Sequence, residues 1–196
     1  MSHLSEIGRS GSRFLLFLLF AGALSLPPHT AEAQGRGRMK PLDVPFATTP
    51  PAAVNAMLKL AGTGPDDVVM DPGAGDGRIV IAAVLNFGAR MGIGIDLDSR
   101  RVREATDAAR RAGVQDRTNF SQGDAFKTDF GTASVLALFM SPRINRELEP
   151  RIRAQMRPAS RVVSYRFPVG DWQPAKTVFV GGQPIYLWIV PPPRSP

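Results

Sequence analysis

VVMDPGAGDGRIVIAAV, residues 68–84, is the stretch that decides the fold. A short apolar run ends in Asp71, three glycines follow at every second position (Gly73, Gly75, Gly77), and a longer apolar run leads to Gly88. The first run has the length of a buried strand, and the second has the length and the glycine stop of a helix. Glycine allows positive φ and lets a ligand approach the backbone closely. A glycine turn between strand and helix therefore predicts a ligand site at the carboxyl edge of an α/β sheet.

What the turn lacks narrows the ligand. The spacing is tighter than G-x-G-x-x-G, and Arg78 stands where the last glycine of that pattern would be. No G-K-S or G-K-T follows, so the phosphate-cradling loop is absent as well. A diphosphate is not expected. Three acids suggest a different ligand. Asp71 ends the first strand and suits an ammonium. Asp96 ends a second apolar run, RMGIGIDLD, and suits a ribose diol, because a carboxylate accepts from both hydroxyls. Asp124 follows a third short strand in TNFSQGDAF and suits the exocyclic amine of a base.

Outward from the turn, strands and helices alternate. TTPPAAVNAMLKLAG predicts a helix with Thr49 as its cap, and SRRVREATDAARRAG predicts one with Val102, Ala105, Ala109 and Ala112 on its inner face. ASVLALFM reads as a buried parallel strand. RINRELEPRIRAQM reads as a helix bent at Pro150, SRVVSYRF as a fifth strand, and AKTVFVGGQPIYLWIVP as a hairpin around Gly181 and Gly182. The pattern is one α/β domain with a mostly parallel sheet, helices on both faces and a C-terminal antiparallel hairpin. It is expected over residues 48–190, after a linker at 34–47 and before a proline-rich tail at 191–196.

Residues 1–33 differ. Arg9 and Arg13 precede the apolar run Phe14–Leu26, and Ala31 and Ala33 have the spacing of a signal-peptidase site. The run is short of the roughly 20 residues a spanning helix needs. The segment is expected to be either a cleaved signal peptide or a retained membrane anchor. The domain would then be periplasmic or secreted, or held at the inner membrane, with its side left open. Both histidines, His3 and His29, lie in this segment and the chain has no cysteine. The domain thus lacks a histidine triad, a thiol nucleophile and the usual zinc ligands, and no metal is expected. The formal net charge is +7. Without a dense basic stripe interleaved with aromatics, nucleic acid is not the expected partner.

On these residues the chain resembles the class I, seven-strand, Rossmann-like S-adenosylmethionine-dependent methyltransferases. DPGAGDG is similar to their first motif, GIGIDLD to the second-strand motif and GDAF to the third. ATTPPAAVNAML, GDGRIVIAA and the GDW of Gly170–Trp172 are similar to a branch containing lysine methyltransferases of the ATP synthase c-subunit and bacterial relatives. The resemblance covers about residues 44–190 and implies a seven-stranded sheet with S-adenosylmethionine as cofactor. It implies that Asp71, Gly73, Ala74, Gly75 and Gly77 hold the methionine moiety and Asp96 the ribose. Asp124 and Ala125 would hold the adenine, with Leu97 packed on it. The acceptor is expected to be a protein lysine, in a membrane protein on one version. Asp171, Trp172 and Tyr165 are the expected acceptor-side residues, with Asp76 a further candidate for the proton. FMSPR, residues 139–143, lacks the D/N-P-P-Y pattern of base-modifying relatives. A non-catalytic cofactor-binding scaffold on the same fold and an NAD(P)-dependent enzyme stay open as alternatives.

Overall fold

The computed structural model describes residues 48–192. The expected leader, the linker at 34–47 and most of the proline-rich tail lie outside the described residues. Among the described residues no helix is long and apolar enough to cross a membrane.

The chain runs α1 (Pro51–Leu60), β1 (Val68–Asp71), α2 (Arg78–Phe87), β2 (Met91–Asp96), α3 (Ser99–Arg111), β3 (Thr118–Gln122), β4 (Val135–Leu138), α4 (Pro142–Gln155), β5 (Arg161–Tyr165), β6 (Lys176–Val180) and β7 (Gln183–Ile189). Single 3-10 turns precede β3 and follow it, at Gln115–Arg117 and Ala125–Lys127. The seven strands lie in the order β3-β2-β1-β4-β5-β7-β6. β1 to β5 are parallel, whereas β7 runs antiparallel to both β5 and β6. The sheet changes winding direction between β1 and β4, so the switch point opens at Asp71 and at Phe139, just past β4.

Two apolar layers enclose the sheet. On one face Met57 and Leu58 of α1, Ala83 and Val84 of α2 and Ala109 of α3 pack on Val69, Val135 and Val163. On the other, Ile144, Leu148 and Ile152 of α4 pack on Leu136, Leu138, Val162 and Trp188. Each of the valines, leucines, isoleucines and Met57 among them contributes about 1.5–3 kcal/mol when fully buried. The cap of α1 is Pro50 with Pro51 at the first position, and not Thr49, whose carbonyl instead accepts from Arg78 Nη1 at 2.9 Å. α4 continues through Pro150.

The glycines of GIGID have a packing reason. A Cβ on Gly92 would lie 2.5 Å from Val80 Cγ1, and one on Gly94 would lie 2.8 Å from Ala74 Cβ. They let α2 and the glycine turn sit directly on β2. Gly92→Val should cost about 1–3 kcal/mol of stability by overpacking. Urea unfolding of the variant against wild type measures this, and an unchanged midpoint would show that α2 does not need that closeness.

Candidate active site

The site grows from hydrogen bonds inside the glycine turn. Gly73 N–H donates to Asp71 Oδ1 at 3.1 Å. Gly75 N–H donates to Asp96 Oδ2 at 2.9 Å. Ala74 N–H donates to the Ile95 carbonyl at 3.0 Å and Gly77 N–H to the Ala74 carbonyl at 2.8 Å. Even the Arg78 amide, at the start of α2, is taken by Asp76 at 3.2 Å. The turn is not a ring of free N–H groups waiting for an anion, as a helix start after a glycine loop would suggest. The amides of Gly73, Ala74, Gly75, Gly77 and Arg78 are engaged by the chain itself, so carboxylates and carbonyls dominate what the turn offers a ligand.

Gly75 and Gly77 take positive φ, 55° and 79°. Gly77 is buried under Phe120 and Ala105, and a Cβ there would come within 3 Å of both. Its absent side chain serves the packing of α3 and β3. Gly73 is the exposed one, beside Met140.

Asp96 is tied on both oxygens, since Asp98 N–H donates to Oδ1 at 2.9 Å. A carboxylate has about four lone-pair positions, so each oxygen retains one acceptor site toward the edge. The cap of α3 is Asp98, which accepts from Arg100 N–H at 2.8 Å, leaving Asp96 free of that task. Leu97, next in sequence, is 56% exposed, unusual for a leucine at a sheet edge. The Gly123 amide bonds the Asp96 carbonyl at 2.9 Å, so the segments after β2 and β3 run side by side. Asp124 caps the short 3-10 turn by accepting from Phe126 N–H at 2.9 Å, and Ala125 is buried beneath it. Leu97 and Asp124 thus follow two strand ends that lie side by side.

Asp71 is 4% exposed. Burial pushes its carboxyl up to about 7, against the pull of the Gly73 amide, and the nearby charges of Asp96 and Asp76 add to the rise. Asp76 goes the other way. Burial opposes its charge, but the hydrogen bonds and charge of Arg78 outweigh this and hold it below the usual carboxylate range. An acid so held is a poor proton acceptor. The Asp76–Arg78 pair also ties the turn to the segment before α1, through the Arg78 bond to Thr49. Together, Thr48, Thr49, Asp71, Gly73–Asp76, Arg78, Ile79 and Phe139 line a cleft at the switch point.

The three acceptor-side candidates are not brought together. Tyr165, buried at the end of β5, has its ring centroid 5.0 Å from that of Phe139, on the α1 face and beside the cleft. Asp171 and Trp172 follow β5 onto the opposite face. The Asp171 amide donates to Glu149 Oε2 of α4 at 3.3 Å. The Trp172 ring packs 6.0 Å from Trp188, under the Arg153 guanidinium at 5.2 Å, and its carbonyl accepts from Trp188 Nε1 at 2.8 Å. Buried Val169 draws the chain down onto α4 there, a crossing that counting residues from the end of β5 does not reveal. Phe139 and Phe167 are not singled out by the sequence, although FMSPR and YRF sit at two strand ends.

The ANTKMT methyltransferase domain matches residues 71–176, from the last residue of β1 to the first of β6. The chain belongs to this methyltransferase family. A protein-lysine N-methyltransferase of Saccharolobus islandicus is 32% identical, over 75% of this chain and 94% of that one. A lysine N-methyltransferase of the ATP synthase c-subunit, from Xenopus laevis, is 34% identical over 67% of this chain, which spans 55% of that longer protein. A crystal structure of an RNA methyltransferase from Salinibacter ruber, in complex with S-adenosyl-L-homocysteine, is 41% identical with a TM-score of 0.73, covering 76% of this chain and 97% of that one. The protein is an S-adenosylmethionine-dependent methyltransferase. The residues present fit that cofactor. Asp96 has acceptor sites left for a diol, the exposed Leu97 offers an apolar surface to a purine, and a half-neutral Asp71 gains a partner when an ammonium arrives.

In the free protein Asp71 binds its proton up to about pH 7, whereas the unfolded chain releases it near pH 4. The folded state therefore holds more protons between these values, and this residue's contribution to stability falls as pH rises through that window. The stability of Asp71→Asn relative to wild type should rise by about 1–4 kcal/mol from about pH 4 to about pH 8. A pH-independent difference in urea titrations would remove the buried-acid account. Trp172→Ala should lower stability by about 3–5 kcal/mol, as loss of a packed aromatic does, while turnover per folded molecule stays near wild type. A selective loss of turnover at unchanged stability would instead put Trp172 on the acceptor side.

Proposed function

We propose that this methyltransferase methylates a lysine side chain of a protein. The observation that carries the reading is the cleft itself, in which buried Asp71 and Phe139 share the lining and Tyr165 packs on Phe139, with no Asp or Asn in residues 139–143 to read a base edge. The similarity to the Saccharolobus protein-lysine N-methyltransferase, over nearly its full length, supports it.

The cofactor supplies a methyl group on a sulfonium, a good leaving group that requires no strong acid. The chain's part is to place the acceptor in line and to keep water out, and alignment of this kind can supply about 7–11 kcal/mol of the barrier. On this reading Asp96 holds the ribose, Leu97, Asp124 and Ala125 the adenine, and Asp71 with the Gly73–Gly77 turn the methionine end. Tyr165 stands on the acceptor side. With Asp76 paired to Arg78, proton removal from the lysine falls to water on the acceptor side. A membrane-protein acceptor follows from reading residues 1–33 as a leader or anchor.

The test is labelled methyl transfer into membrane and soluble extracts with the full chain, followed by digestion to find the labelled residue. The expected result is label on lysine. Label on an RNA base would favour the activity for which the Salinibacter relative is named and discard the lysine reading, and no label despite firm cofactor binding would favour a scaffold. Asp96→Ala should weaken S-adenosylhomocysteine about 30- to 1000-fold by calorimetry, since each charge-assisted bond to the diol is worth about 1.5–3 kcal/mol. Unchanged affinity in the folded variant would place the ribose elsewhere.

A further inference from the structure

Beyond β5 the backbone makes a turn that a plain connection does not need. Phe167 N–H donates back to the Tyr165 carbonyl at 2.9 Å, and Arg166 between them has φ 68°. A bond two residues back across a positive φ is the strained form of γ-turn, and its central residue here is not glycine. Such strain persists only where the surroundings impose it.

The surroundings are a buried polar cluster on α4 and β5. Asn145 of α4 has 0% exposure in a row otherwise filled by Ile144, Leu148 and Ile152. Its Nδ2 donates to the Pro168 carbonyl at 3.1 Å, and to the Phe167 carbonyl and Ser164 Oγ at 3.4 Å each. Ser164, also fully buried, donates its hydroxyl to the Phe167 carbonyl at 2.6 Å. The Asn145 Oδ1 has no partner, so this amide is kept at a cost that an apolar residue on the same face would avoid. The Arg166 amide is fixed as well, to the Pro184 carbonyl of β7 at 2.8 Å.

The turn aims one ring. Phe167 lies nearly parallel to Phe139, at 8° with centroids 6.2 Å apart, and Phe139 in turn meets Tyr165 at 59°. Phe139 lines the cleft opposite Asp71 and the glycine turn. The Arg166 guanidinium lies 5.5 Å from the Phe167 ring centre, so one face of Phe167 already carries a cation.

We propose that Phe139, Tyr165 and Phe167 form the wall that receives the acceptor's alkylammonium chain, and that Asn145 is the positioning residue that holds it, through Ser164 and the strained turn at Arg166. The wall rests on the lysine reading above, since a protonated alkyl amine is what an aromatic face attracts. A neutral alkyl chain of equal length has no such preference.

The experiment uses the full chain loaded with S-adenosylhomocysteine, titrated with n-butylammonium and with 1-butanol and followed by amide chemical shifts. Wild type should bind the ammonium about tenfold more tightly than the alcohol. Phe167→Leu and Phe139→Leu should lose that preference, and Phe167→Leu, outside the cleft lining, should keep cofactor affinity within about twofold of wild type. Phe167→Tyr should retain it. Asn145→Ala should cut kcat/KM for the lysine acceptor about tenfold by the same route, with cofactor affinity kept. Should Asn145→Ala not fold, the phenylalanine variants decide alone. No preference in wild type, or an undiminished one in both leucine variants, overturns the wall. Ammonium preference that vanishes in the leucine variants, without methyl transfer to any lysine, would sustain the wall and sink the lysine function. Lysine methylation at full rate in the leucine variants would do the reverse.

Discussion

The bond from the Gly75 amide to the Asp96 carboxylate is the constraint on which the rest of the site depends. It joins the turn after β1 to the end of β2, and its acceptor is also the residue read as the ribose anchor. The same carboxylate receives the Asp98 amide, which sets the entry to α3. One side chain therefore fixes the loop, the helix start and the remaining acceptor directions. Asp71 does the corresponding work on the Gly73 side. The amides of Gly73 and Gly75 are satisfied by these acids and those of Ala74 and Gly77 by carbonyls, so the turn offers an anion few donors, while a diol and an ammonium find acceptors. The choice between a dinucleotide and an adenosyl ligand comes down to this exchange.

Most of the fold is legible in the sequence because its signals are local. The β1–turn–α2 unit, the glycines of β2 and the Gly181–Gly182 hairpin each follow from residue types at adjacent positions. The placing of three acids at one edge is legible for a related reason. Asp71, Asp96 and Asp124 each sit at a strand end, and parallel strands bring such ends to one edge. Thr49 has the residue type of a cap without the role, because Pro50 and Pro51 start α1 without one and a distant residue, Arg78, claims its carbonyl.

The acceptor side is harder to read because it depends on which face a loop crosses to. GDW has the place of a substrate motif after β5, yet the burial of Val169 and the pairing of Trp172 with Trp188 carry it onto α4. Gly170 fits that placement, since a Cβ there would collide with Glu149. Phe139 and Phe167 are ordinary apolar residues in sequence, and only the turn at Arg166 shows them as a stacked pair beside the cleft. Arg78 has the look of an obstacle to a ligand, and its real partners, Asp76 and Thr49, require the tertiary structure.

On the reading proposed above, carboxylates more than backbone amides select the ligand of this turn. That claim is tested most directly by comparing S-adenosylhomocysteine with ADP on the same protein in one calorimeter. The two share adenosine and differ in carrying an amino acid or a diphosphate. The account predicts firm binding of S-adenosylhomocysteine and none of ADP at matched concentration. Binding of ADP as tight as that of S-adenosylhomocysteine would contradict it.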